Sequence, residues 1–248
     1  MVKKISRVPA PSLAITGPAV LFLLCLMVST GLRNRIYYDP LSMWADGVIK
    51  SPDKKRTHEN YGQSLSTAGN YKEALRQFNI VLSMKESDGS VPMRDVYREL
   101  GVVYYRIGQF DDAITAWQKG LRYAPYDVGL LNNLSVTYFT KQSLDEAEAY
   151  AKEALRSDPY FPNCLNTLGE IYVKKGRDAE ALPYFLKAIE REPNVPGRYW
   201  NAAMSLARLG RYDEAYQYAS RFLAMARDGR ERYQAMELVS QLQVKMRK

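Results

Sequence analysis

One histidine, His58, and two cysteines, Cys25 and Cys164, are all that 248 residues hold of these side chains. A single histidine excludes a His-rich metal site and most histidine-based acid–base catalysis. Cys25 lies in an apolar N-terminal run, so the rest of the chain has one thiol and no internal disulfide, which leaves the redox compartment unmarked. There is no phosphate-binding glycine loop, no cysteine pair and no serine–histidine arrangement. No catalytic residue, metal or cofactor is therefore expected. A continuous basic groove is also missing. The net charge of +8 sits at the ends: residues 1–56 hold nine Lys/Arg against three Asp/Glu, 198–248 hold ten against five, and 57–197 hold sixteen against nineteen. A nucleic-acid partner is not expected.

What is present begins with an uncharged run between Arg7 and Arg33. Residues 1–12 form a short basic tail. Residues 13–32, LAITGPAVLFLLCLMVSTGL, supply about twenty largely apolar residues, enough as a helix for a hydrocarbon core of about 30 Å. A single transmembrane anchor in the inner (cytoplasmic) membrane is expected. A cleaved signal peptide, with Ser29 and Gly31 at its small-residue positions, is the alternative. Lys3, Lys4 and Arg7 before the run barely outweigh Arg33 and Arg35 after it, so charge hardly orients the span. Over 36–54, Asp39-Pro40 offers an N-cap followed by proline at the first helical position, and Leu41, Trp44, Ala45, Val48 and Ile49 recur at helical spacing. This is either a juxtamembrane half-repeat, in register with the periodic part of the chain, or an ordinary interfacial helix.

The rest repeats. Tyr97, Leu100, Gly101, Tyr104, Gly108, Ala113, Trp117 and Pro125 return 34 residues later as Leu131, Leu134, Ser135, Tyr138, Ala147, Ala151 and Pro159. They return again as Leu165, Leu168, Gly169, Tyr172, Gly176, Ala181, Phe185 and Pro193, and then as Tyr199, Ala202, Ala203, Gly210, Ala215 and Ala219. A copy nearer the N-terminus keeps Gly62, Gly69, Tyr71, Ala74 and Phe78, offset by five extra residues within 84–93. His58 occupies the position of Tyr97 and Leu131 and is expected to be core. Period and residue order together resemble the tetratricopeptide repeat (TPR) family.

That resemblance implies an all-α, right-handed solenoid of helix-turn-helix repeats, five of them over 55–229, preceded by one transmembrane helix. A capping helix over 230–248 is expected to cover the core with Tyr233, Met236, Leu238, Val239 and Leu242. In the family the first helix of each repeat lines a concave face that binds protein segments. Carried onto this chain, the partner-binding residues are Arg98, Val102, Tyr105 and Arg106 in the second repeat. The third contributes Asn133, Val136 and Phe139, the fourth Asn166 and Lys174, and the fifth Trp200, Asn201, Met204 and Arg208. Val102, Tyr105, Val136, Phe139, Val173, Trp200 and Met204 would make an apolar floor. Arg106, Lys174 and Arg208 recur at one position, near Arg98, and would make a basic edge suited to a carboxylate. Asn60, Asn133 and Asn201 precede the small residue by two and would hold a peptide backbone, with Glu99 and Thr167 interrupting the ladder.

A second resemblance covers Arg33 to Pro52. The run RNRIYYDPLSMWAD, followed by Lys50-Ser51-Pro52, is similar to the junction in multi-spanning glycosyltransferase-like membrane proteins where TPR repeats begin. It implies extracytoplasmic (periplasmic) repeats, but no transferase activity, since every other span and catalytic loop is missing. The expected function is a membrane-anchored scaffold that binds a peptide or helix of another envelope protein and assembles a membrane-associated complex. The alternative is an accessory subunit of a glycan or polysaccharide synthesis or export system.

Overall fold

A computed structural model describes residues 17–84, 91–227 and 229–247. Among the described residues there are thirteen α-helices and no strand. They are α1 (Gly17–Tyr38), α2 (Pro40–Lys50), α3 (Lys55–Thr67), α4 (Tyr71–Ser83), α5 (Met93–Arg106), α6 (Phe110–Tyr123), α7 (Val128–Thr140), α8 (Leu144–Ser157), α9 (Pro162–Lys174), α10 (Asp178–Arg191), α11 (Pro196–Arg208), α12 (Tyr212–Met225) and α13 (Arg230–Met246). From α3 to α12 they pack as five helical hairpins, each stacked on the next.

Side-chain size sets the spacing within a hairpin. A Cβ on Gly101 would overlap the Trp117 indole, one on Gly169 would meet Phe185 at 2.5 Å, and one on Gly62 would meet Phe78 at 2.9 Å. Where the first helix carries a larger residue, the second carries alanine. Ser135 and Ala203 stand in register with these glycines, and Ala151 and Ala219 with the aromatic rings. The Ser135 hydroxyl donates to the Ala147 carbonyl at 2.8 Å. Volume is thus conserved across the hairpin while its placement changes.

The turn inside each hairpin ends the first helix with a left-handed residue: Gly69, Gly108, Gly176 and Gly210 at φ from 73° to 81°, and Gln142 at 63°. The next N–H returns to the helix, as in Gln109 N to Tyr104 O at 2.9 Å and Ser143 N to Tyr138 O at 2.9 Å. These bonds satisfy carbonyls that would otherwise be orphaned at the helix end.

The core runs along the solenoid in successive buried clusters. Phe78, Val81, Val96 and Val103 fill the first interface, Trp117, Leu130 and Leu134 the next, and Leu168, Ile171, Phe185 and Leu206 the last repeats. Cys164 is fully buried, its thiol donating to the Ala151 carbonyl at 3.2 Å, and burial pushes that thiol up to about 12. His58 is buried too, with its ring nitrogens 2.6 Å from Gln77 Oε1 and 2.8 Å from the Pro52 carbonyl.

At the N-terminal end, Asp39 caps α2 through the amides of Leu41 and Ser42, and α2 packs on α3. At the other end α13 lies on α12, with Ala235, Leu238 and Leu242 buried. Val239 packs beside them, but Tyr233 is 71% exposed and Met236 55%. Tyr233 and Met236 therefore do not cover the core as expected, because the spacing 235, 238, 242 defines the inward stripe and both lie off it.

The transmembrane helix expected over 13–32 is not supported. Residues 13–16 lie outside the described residues, and no helix among those described is long and apolar enough to cross a membrane. In α1 the apolar part, residues 17–32, reaches about 24 Å before Arg33, Asn34 and Arg35 enter the same helix. Its residues from Val20 to Gly31 are exposed.

Candidate protein-binding groove

The first helices α7, α9 and α11 stand side by side and leave two adjoining depressions. One, of about 580 Å³, is lined by Phe139, Val173, Trp200 and Met204, with Glu170, Lys174, Asn201 and Arg208 around them and Asp178 at the start of α10. The other, of about 450 Å³, includes Asn132, Val136, Asn163, Asn166, Thr167 and Arg198. Glu170, Trp200 and Asn201 line both, so they form one groove across three repeats.

Its apolar floor is half-buried rather than free. Phe139, Val173, Trp200 and Met204 rest on the core cluster below, and the Trp200 ring lies 5.3 Å from that of Phe222 at 60°. Each side chain thus presents one face to the groove and one to the core.

Beside the floor lies a lattice of amides. Asn201 Nδ2 donates to Asn166 Oδ1 at 3.1 Å and to Glu170 Oε1 at 2.9 Å, and Asn166 Nδ2 donates to Glu170 Oε1 at 2.8 Å. The Thr167 hydroxyl donates to Asn132 Oδ1 at 3.4 Å. Arg198, only 3% exposed, holds the carbonyls of Ala188 and Glu192, the Glu192 carboxylate at 2.6 Å and Asn163 Oδ1 at 3.0 Å. It fastens the end of α10 to the starts of α9 and α11 beside the groove.

The structure brings Val136, Phe139, Asn166, Lys174, Trp200, Asn201, Met204 and Arg208 of the expected set into this groove. It does not bring Arg98, Val102, Tyr105, Arg106 or Asn133 there. Val102 and Tyr105 pack on the cluster between the second and third repeats, and the Tyr105 hydroxyl is 3.1 Å from that of Thr140. Asn133 is half-buried, its carbonyl accepting from Thr137 at 2.7 Å. Arg98 is paired with Asp95 at 2.9 Å and lies 3.7 Å from Glu99. Burial pushes the Glu99 carboxyl up, against the pull of Arg98. Burial and the nearby Asp95 push Glu59 up as well.

The expected basic edge needs correction. Arg208 is bound to Asp178 at 3.1 Å and Arg98 to Asp95, so Arg106 and Lys174 alone of the four make no ion pair among the described residues. With Glu170 and Asp178 in the same groove, its charge is mixed. Residue order marks Asp178 only as an acid at a helix start. For Arg198 a signal does exist, since it stands in register with the buried Val96, Leu130 and Cys164.

Stacked helical hairpins with an inner groove define an α-solenoid. Two family models, both described as tetratricopeptide repeat, match residues 60–120 and 98–162 and residues 138–203. Across that span the chain belongs to the tetratricopeptide repeat family. Among solved structures, the chain is similar to the APC/C hetero-tetramer Cut9–Hcn1 (TM-score 0.69, 17% identity), covering 84% of this chain but only 40% of that one. It is similar to pilF of Pseudomonas aeruginosa (0.63, 19%), covering 78% of this chain and 90% of that one. It is also similar to YrrB, described as a TPR protein with an unusual peptide-binding site (0.56, 18%; 78% and 97%). At these identities the likeness concerns the fold. No curated protein matches the chain, and nothing supports the glycosyltransferase-like junction.

Proposed function

We propose that the chain is a protein-interaction scaffold that holds an extended segment or helix of a partner in the groove of α7, α9 and α11. The observation that carries this is the continuous groove itself, an apolar floor beside an amide lattice. Apolar side chains of the partner would seat on Phe139, Val173, Trp200 and Met204. Its peptide groups would use the capacity that the lattice leaves over, the Asn132 and Asn166 side-chain N–H groups and the Asn201 side-chain oxygen. That the similar YrrB structure is described as having a peptide-binding site is consistent with this reading.

Location forms the second part of the proposal. The exposed apolar side chains of α1, with Phe22 at 65% and Met27 at 70%, attach the protein to the inner membrane, with the repeats on the extracytoplasmic side and envelope proteins as partners.

Both parts are testable. A photo-crosslinking amino acid at Met204 should trap a defined partner that the same probe at the outward-facing, exposed Thr115 does not. Met204→Glu should then weaken binding of that purified partner while the helical signal persists. Equal trapping from both positions would sink the groove assignment. Alkaline phosphatase fused at Lys248 should be active if the repeats lie outside the cytoplasm, and inactive fusions would overturn the location.

A further inference from the structure

The outer surface carries a second kind of groove, formed where the second helices of successive repeats meet. Between α8 and α10 lies a cleft of about 320 Å³ with Leu155, Pro159 and Tyr184 on its walls and Lys152, Arg156 and Lys187 around it. One repeat further on, a cleft of about 330 Å³ is lined by Ile189, Tyr199, Gln217, Tyr218 and Arg221. The two clefts share three positions, although Lys152 and Arg156 of the first become Leu186 and Glu190 in the second. Ile189 is 34 residues after Leu155, Tyr218 after Tyr184, and Arg221 after Lys187. Each cleft therefore pairs an aliphatic floor with a tyrosine and, one helical turn on, a cation. At the preceding interface the equivalent pair is Tyr150 and Glu153, so the charge reverses and the pattern stops.

The charges in these clefts differ from those elsewhere on the solenoid. At the turns inside the hairpins cations are paired: Lys141 with Asp111, Lys175 with Asp145 and Glu148, Arg177 with Glu180, Arg211 with Glu214. In the clefts Lys152 is held by Glu148, but Arg156, Lys187 and Arg221 make no ion pair among the described residues. The only carboxylate at the rim of the first cleft among the described residues is Glu148, on Lys152; the second has none in its lining, although Glu153 and Glu190 stand on the same helices. The hydroxyls of Tyr184 and Tyr218 make no hydrogen bond among the described residues, while their rings are steadied by Tyr172 at 5.6 Å and Tyr199 at 6.2 Å. Alongside, the Arg191 guanidinium stacks on Tyr160 at 3.8 Å.

We infer that these two clefts form a docking strip for an acidic protein segment, separate from the inner groove, in which aliphatic side chains alternate with Asp or Glu. The aliphatic groups seat on Leu155 and Ile189, and the carboxylates accept from the tyrosine hydroxyls and the cations beside them. Tyrosine and arginine are among the side chains enriched at the energetic centres of protein interfaces. A phosphate backbone has no use for the apolar floors, and a lipid surface is too flat to enter the clefts.

The test uses the full chain and a labelled peptide of glutamate and leucine arranged on one helical face. A glutamine-for-glutamate version, a single-stranded DNA oligonucleotide and phosphatidylglycerol vesicles serve as comparisons. The acidic peptide binds and the glutamine version does not. Lys187→Glu with Arg221→Glu weakens binding about tenfold or more, as expected for reversing cations at an interface. Tyr184→Phe with Tyr218→Phe keeps the charge and the rings and weakens binding by a few-fold, while Met204→Glu in the inner groove leaves it unchanged. Circular dichroism and melting checks that each variant is folded. The inference is overturned if charge reversal leaves peptide affinity unchanged, or if the oligonucleotide or the vesicles bind as tightly with the same sensitivity to it.

Discussion

Gly169 and Phe185 occupy one volume between α9 and α10: a Cβ on the glycine would come 2.5 Å from the ring. The same relationship joins Gly101 to Trp117, while alanines stand at both equivalent positions, 203 and 219, in the last repeat. Gly169→Ala therefore overpacks the hairpin and lowers stability by about 1–3 kcal/mol despite alanine's better helix propensity. In Gly169→Ala/Phe185→Ala the overlap is gone, so the double variant should be more stable than the two single losses add up to. A double-mutant cycle from urea denaturation measures that coupling. Additive losses would mean the two residues do not share the space.

Gln142 takes the left-handed turn position that glycine takes in the other four hairpins, at φ 63°. A side chain there costs about 1–2 kcal/mol, and glycine gives back part of this through its greater freedom when unfolded. Gln142→Gly should raise stability by about 1 kcal/mol, read as a higher urea midpoint with an unchanged slope. Gly176→Gln, the reverse change at an equivalent turn, should lower it by a similar amount.

Glu148 is a third case. Burial resists its charge, but hydrogen bonds from Lys152 and Lys175, each at 2.6 Å, outweigh that and hold its carboxyl down at about 2. The ordinary carboxyl value is 4.5. A depressed value stabilises the fold above the unfolded pKa, and the contribution drains away as pH falls from about 4.5 toward 2. Its size is about 2 kcal/mol, discounted because Lys152 is 46% exposed. Glu148→Gln should lose this at pH 7, and the gap between the two proteins should close as the medium is acidified. A gap independent of pH would show that packing, not charge, holds Glu148.

Ser205 lies fully buried in α11, and its hydroxyl has no hydrogen-bond partner among the described residues. It stands in register with Val103 and Ile171, both buried and apolar. Removing an unsatisfied buried hydroxyl recovers about 1–3 kcal/mol of desolvation cost, less the small cavity left behind. Ser205→Ala should raise the melting temperature by a few degrees, and a fall would point to a partner for the hydroxyl in solution.

Much of the solenoid is legible in the chain because a repeat's core is local. Helix faces, the small-and-large pairing of Gly101 with Trp117, and the glycine turns all follow from residue order within one period. Less of the candidate site is legible. Residue order points to an inner groove from Arg98 to Arg208, yet the two depressions described lie over α7, α9 and α11. Arg208 reads as a free cation and is tied to Asp178, 30 residues away. Asn166 reads as a lining residue and is already engaged by Asn201, 35 residues away.

By itself, then, the sequence determined the period, the helix faces and the family, because apolar periodicity and steric complementarity act over a few residues and repeat without change. The tertiary structure alone decided which charges are neutralised, which amides are spent on each other, which stripe of α13 faces inward and which grooves stay open. Those outcomes depend on how far each hairpin is displaced from the one before it. That displacement comes from packing across the whole interface, and no single position in the repeat encodes it.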